Sequence, residues 1–249
     1  MDEVDLHLDP TAEISVETVK KRSVAGVMVL TGRTFILQII GLVAQLFLFA
    51  YLGRYEFGVF AIVSAVINFL VYFSDIGLAA ALIQKKETPT DIDLKTTFFV
   101  QQFLVVSLII LVFLFSPLIT SHYSLSNDGK ILLYALSLSL LFSSLKSIPS
   151  VLLERKLEFV KLVFPQILEQ VVYSVVLVVF AMKGLGLTSF TIAVIARGIV
   201  GLIAIYLVQP WKPGIAFSKK TLLGLFKFGV PYQINTFLAT FKDDGMTLV

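Results

Sequence analysis

The sequence predicts an all-α, polytopic membrane helix bundle of six transmembrane helices and the start of a seventh. Three observations carry that prediction. Hydrophobic residues make up 57% of the 249 and charged residues 15%, whereas a soluble domain of this size needs about 25% charged residues to cover its surface. The apolar residues fall into runs of about 20, the length a helix needs to cross a hydrocarbon core ~30 Å thick. Lysine and arginine gather in alternate loops between those runs, the pattern that orients membrane helices.

In chain order the runs cover 24–52, 57–83, 96–119, 131–153, 162–182 and 187–208, and a seventh begins at Leu222. With no water in the bilayer core, each run must satisfy its own backbone N–H and C=O groups, which makes it a helix. The short alternating segments of a membrane β-barrel are absent. Pro117, Pro149 and Pro165 lie near helix ends or in outer turns, where kinks are tolerated. The chain therefore divides into an acidic tail with a basic flank (1–23), a six-helix membrane lobe (24–208), a connection (209–221) and the start of a second unit (222–249).

One set of alternate loops holds Lys20, Lys21, Arg22, Lys85, Lys86, Lys95, Arg155, Lys156, Lys161, Lys212, Lys219 and Lys220. The other holds only Arg54, Lys130 and Lys183. Twelve cations against three predict a cytoplasmic N-terminus. The first 19 residues carry Asp2, Glu3, Asp5, Asp9, Glu13 and Glu17 with no lysine or arginine. That is the opposite of a secretory signal, and predicts a short cytosolic extension, partly disordered. The loops on both sides are too short for a catalytic domain, so the function is expected inside the bundle.

Several chemistries are excluded. There is no cysteine, so disulfides, thiol nucleophiles, zinc–cysteine sites and iron–sulfur clusters are ruled out. His7 and His122 both lie outside the apolar runs, which removes histidine catalysis or metal ligation within the membrane. No cofactor is implied. The net charge of +3 sits in topology-setting loops, so nucleic acid is not an expected partner.

Ionisable residues within the runs cost roughly 2.5–3.5 kcal/mol each on insertion scales, so each needs a reason. Arg33 stands about 20 residues before the turn near Gly53 and Arg54, and Asp75 about 21 after it. Helices rising about 1.5 Å per residue bring the two to nearly one depth. They either pair, or Arg33 reaches up to the headgroups while Asp75 caps a helix break before Gly77. Glu169 and Arg197 lie deeper, offset by roughly 7 Å about the turn at Gly184 and Gly186, within reach of long side chains. They form a structural pair or line a cavity. Gln38, Gln45, Asn68, Gln101, Gln102, Gln166, Gln170 and Asn235 add amides, singly a glue between helices and together a polar interior. Gly198 and Gly201, beside Arg197, favour close helix packing.

The stretch YLGRYEFGVFAIVSAVINFLVYFSDIGLAAALIQKK (51–86) resembles the first hairpin of bacterial polysaccharide transporters. IPSVLLERKLEFVKL (148–162) is similar to that family's basic connection between spans four and five, and LFKFGVPYQINTFLATFKDDG (225–245) to its entry into span seven. These transporters are the lipid-linked oligosaccharide (O-antigen) flippases of the multidrug/oligosaccharidyl-lipid/polysaccharide exporter superfamily. The resemblance implies two pseudo-symmetric lobes around a central cavity, of which this chain would supply the N-terminal lobe and one further helix, as a fragment or a shortened form. A weak likeness of 26–37 to 224–235 is in keeping with such a repeat.

The implied function is transport of an undecaprenyl-pyrophosphate-linked oligosaccharide across the bacterial inner membrane, for surface lipopolysaccharide or exopolysaccharide. Arg33 and Arg197 are the candidate substrate-binding residues, because guanidinium gives forked hydrogen bonds to pyrophosphate. Asp75 and Glu169 are their candidate ion-pair partners in the cavity. Expected partners are the lipid-linked oligosaccharide, membrane lipids and other polysaccharide-assembly membrane proteins. The alternative within the superfamily is a cation-coupled multidrug exporter, which would use Asp75 or Glu169 as ion sites. A membrane polymerase or ligase, expected to carry a large outer loop, does not fit the short loops. A purely structural assembly partner would not need buried charges on several helices.

Overall fold

A computed structural model describes the backbone of residues 16–246 and the side chains of 25–239. The acidic tail expected over the first residues lies outside the described residues up to 15. The described residues form eight helices and no strand: α1 (Val16–Tyr51), α2 (Arg54–Asp75), α3 (Leu78–Gln84), α4 (Asp91–His122), α5 (Asn127–Arg155), α6 (Phe159–Met182), α7 (Leu187–Val208) and α8 (Lys219–Met246). Six of them, all but α3 and α8, are long and apolar enough to cross a membrane, as the apolar runs predict.

Local sequence sets the boundaries. The α4 N-terminus is held by a capping box. The Asp93 N–H donates to Thr90 Oγ1 (3.3 Å), and Asp93 Oδ2 accepts from the Thr90 N–H (2.9 Å). Ser126 caps α5 by accepting from the Gly129 N–H at 3.2 Å. Two internal prolines leave carbonyls without a helical partner, and hydroxyls take them over. Ser116 donates to the Phe113 carbonyl (2.9 Å) ahead of Pro117. Tyr206 of α7 donates to the Leu145 carbonyl (3.1 Å) ahead of Pro149. The second of these ties α7 to α5.

The run expected as one span over 57–83 is two helices. Ile76 (φ 51°) and Gly77 (φ 73°) are both left-handed, which ends α2 and starts α3. The groups freed there are satisfied locally. The Ala79 N–H donates to both Asp75 carboxylate oxygens at 3.2 Å, and Gln233 of α8 donates its amide to the Tyr72 carbonyl at 3.0 Å. At the other end of α3, Arg155 donates from Nη1 to the carbonyls of Leu82, Ile83 and Lys85 at 2.7, 2.9 and 2.8 Å. Helix α8 crosses the break at Gly229. A Cβ on Gly77 would run into the Gly229 carbonyl, and one on Gly229 would lie 2.8 Å from the Gly77 carbonyl oxygen.

Helix α5 is central and packs on α7, α4 and α2, with α6 against α7 and α1 outside on α6. The interior has two main apolar clusters. One joins Leu48, Val63, Ile67, Val105, Leu140, Leu177 and Phe190. The other joins Leu78, Leu82, Phe98, Ile148 and Leu225 at the lysine-rich end, and a small third cluster of Leu153, Leu162 and Ile205 lies beside it.

Candidate functional site

Between these clusters lies a polar layer. On each of five helices an ionisable or amide residue falls between a residue of the first cluster and one of the other two. Asp75 lies between Ile67 and Leu78, Gln101 between Phe98 and Val105, and Lys146 between Leu140 and Ile148. Glu169 falls between Leu162 and Leu177, and Arg197 between Ala193 and Ile205. Within the layer the side chains sort into two groups.

The first group centres on Glu169, which is 7% exposed. Lys146 Nζ lies 2.6 Å from its Oε1 and Arg197 Nε 3.6 Å from its Oε2. Arg197 also stands over the Tyr173 ring, 5.7 Å from the centroid, a cation–π contact. The glycines beside Arg197 make this geometry fit. A Cβ on Gly201 would collide with the Glu169 carboxylate, and one on Gly198 with the Phe142 ring. Two cavities open on either side of the ion network, of about 400 Å³ and about 260 Å³, and share Lys146, Glu169 and Arg197 in their walls. Arg33 lines the smaller one. Three cations and one carboxylate therefore line that cavity. Ser64 Oγ in the larger wall and Gln166 Oε1 in the smaller one are buried without a hydrogen-bond partner among the described residues, as is Arg33 Nε.

The second group centres on Asp75. Its carboxylate caps α3 and accepts from the Gln101 amide, which also donates to Ser147 Oγ at 3.0 Å. Among the described residues Asp75 forms no ion pair. Of the two alternatives for this pair, the geometry has Asp75 capping the helix break, while Arg33 lines the Glu169 cavity and forms no ion pair with Asp75 among the described residues. Equal distance from a turn fixes the height of two residues but not their side. Helix α1 packs on α6, while α2 packs on α5 and α4, so their polar residues face different neighbours.

Lys146 is the residue that reading along the chain misses. It is the only charged side chain in the run 131–153. That run is apolar enough to be read as a span despite it, and the intramembrane candidates drawn from the sequence are carboxylates, arginines and amides. Its isolation is the signal that would have found it.

A family model described as "Polysaccharide biosynthesis protein" matches residues 48–249. Neither the curated proteins nor the solved structures give a significant match to the chain. The matched stretch covers more than half of the chain and every residue of the polar layer, leaving Arg33 before it. The six long apolar helices and this match make the chain a multi-pass membrane protein that belongs to the polysaccharide biosynthesis protein family.

Proposed function

We propose that this protein is a flippase moving an undecaprenyl-pyrophosphate-linked oligosaccharide across the bacterial inner membrane for surface or exopolysaccharide export. The observation that carries the reading is the cavity lined by Arg33, Lys146 and Arg197, with Glu169 as its single carboxylate. An excess of cations lining an intramembrane cavity suits an anionic, hydrophilic head, and arginine's planar fork suits pyrophosphate. The lipid tail of the substrate would stay in the bilayer, and alternating access would rock the lobe about the site. In this reading the protein is a transporter without an enzymatic step, its N-terminus is cytoplasmic, and the lysine-rich loops lie on that side. Other polysaccharide-assembly membrane proteins would be its neighbours. The same charge balance disfavours the cationic substrates of a multidrug exporter.

Arg197→Lys tests the reading. Lysine keeps the charge but loses the fork, so surface polysaccharide should fall by about tenfold, the effect of roughly one charge-assisted hydrogen bond. Membrane levels of the protein should be unchanged. Full export by Arg197→Lys, or export restored by Glu169→Gln combined with Arg197→Gln, would reduce the site to a structural ion pair.

A further inference from the structure

A separate cavity of about 570 Å³ lies at the lysine-rich end of the bundle, between the end of α3, the start of α4 and the start of α8. Its walls carry Lys85, Lys86 and Lys220 together with the acids Glu87 and Asp93, and its apolar part includes Ala81, Leu225 and Phe228. Lys85 is spoken for: its ammonium lies 2.6 Å from Asp93 Oδ2, the carboxylate that also caps α4. Lys86 and Lys220 form no ion pair among the described residues. They come from segments more than a hundred residues apart, brought to one cavity because α8 crosses α3 at the Gly77–Gly229 contact. Leu225 belongs to the apolar cluster beneath, while Phe228 stays 43% exposed.

With Lys85 matched by Asp93, Lys86 and Lys220 outnumber the one remaining acid, Glu87, and a net-positive wall beside apolar side chains at a helix-bundle end suits an amphiphile with an anionic head. We propose that this cavity binds the phosphate headgroup of an anionic lipid, with Lys86 and Lys220 on the phosphate and the acyl chain against Leu225 and Phe228. Juxtamembrane lysines attract anionic lipid at about 1 kcal/mol each near the surface. Two unpaired ones converging from different helices turn that general attraction into a located site. The inference does not use Arg33, Lys146 or Arg197, so it stands or falls apart from the flippase reading. The side of the membrane on which the site would act follows the orientation proposed above.

The test uses the full chain in phosphatidylcholine mixed micelles titrated with phosphatidylglycerol. Trp211, the single tryptophan, supplies the fluorescence signal. Its ring lies 5.1 Å from Phe98, and both pack in the cluster that contains Leu225. Native mass spectrometry counts the lipids retained. Wild type should show a saturable response and keep phosphatidylglycerol over phosphatidylcholine. Lys86→Gln with Lys220→Gln should weaken the response by at least about tenfold, and Lys86→Arg with Lys220→Arg should keep it. The charge-matched pair Lys156→Gln with Lys161→Gln, on the same end but outside this cavity, should bind as wild type. Equal weakening by both glutamine pairs would mean only diffuse surface charge and overturn the proposal. Absence of a saturable response, or displacement of phosphatidylglycerol by inorganic pyrophosphate alone, would overturn it as well.

Discussion

Removing the Lys146 ammonium is the sharpest perturbation of the polar layer. Glu169 is 7% exposed and has two cations, Lys146 at 2.6 Å and Arg197 at 3.6 Å. Coulomb attraction falls with distance, so the nearer charge contributes more. Exposure acts in the same direction, because the Lys146 side chain is 18% exposed and that of Arg197 48%, so water screens the arginine. Deleting one partner of a buried pair costs about 3–5 kcal/mol, because it strands the other charge. With Arg197 still in place, Lys146→Met should fall at the low end, about 3 kcal/mol. Arg197→Met should cost about 1 kcal/mol or less, as exposed pairs do. Lys146→Met combined with Glu169→Gln removes both charges and should come within about 1 kcal/mol of wild type. Reversible unfolding in mixed detergent and denaturing surfactant, followed by the Trp211 signal, puts wild type and the three variants on one scale. Equal losses for Lys146→Met and Arg197→Met, or a double variant no better than Lys146→Met, would refute the assignment of Lys146 as the principal counter-ion.

Three further outcomes are expected. Gly201→Ala drives a Cβ into the Glu169 carboxylate and should destabilise by about 1–3 kcal/mol; Gly32→Ala, which meets nothing within 4 Å, should be neutral or gain up to about 1 kcal/mol from helix propensity, and the two are compared by the same unfolding assay. A double-mutant cycle of Arg33→Ala and Asp75→Ala should be additive within about 0.5 kcal/mol, since the two residues serve different groups; a larger coupling would mean they share a site. Single cysteines, introduced into a chain that has none, should react with a membrane-impermeant reagent from one side at Lys86, Glu158 and Lys219 and from the other at Arg54 and Lys183; labelling of Lys86 and Arg54 from the same side would break the topology.

Much of this architecture was legible because membrane physics leaves few choices. Runs of apolar residues long enough to span must be helices, and all six appear close to where the runs put them. The break in the second run was hidden for a physical reason. Hydropathy carries no information about φ, and Ile76 is as apolar in a left-handed conformation as in a helical one; only Gly77 and the neighbouring Asp75 hinted at it. The neighbours of Glu169 were half legible. Arg197 announced itself by depth, whereas Lys146 was masked by the apolar residues around it. Arg33 shows the remaining gap: height along an axis can be counted from a turn, but rotation about the bundle depends on which helices pack, and that is a tertiary fact.

The crossing of α8 over the break at Gly77 constrains how the sequence can vary. Side chains that touch can trade volume, so a larger residue on one helix is commonly relieved by a smaller one opposite. Gly77 and Gly229 meet through their backbones, and no residue is smaller than glycine, so neither position can compensate for a change at the other. Any second-site suppressor of Gly77→Ala would have to shift α8 as a body. Such a shift would pull Gln233 off the Tyr72 carbonyl, exposing a helix end with nothing to accept from in a lipid environment. The two glycines and the glutamine are thus one heritable unit, and a genetic screen for suppressors of Gly77→Ala should return revertants and not partners.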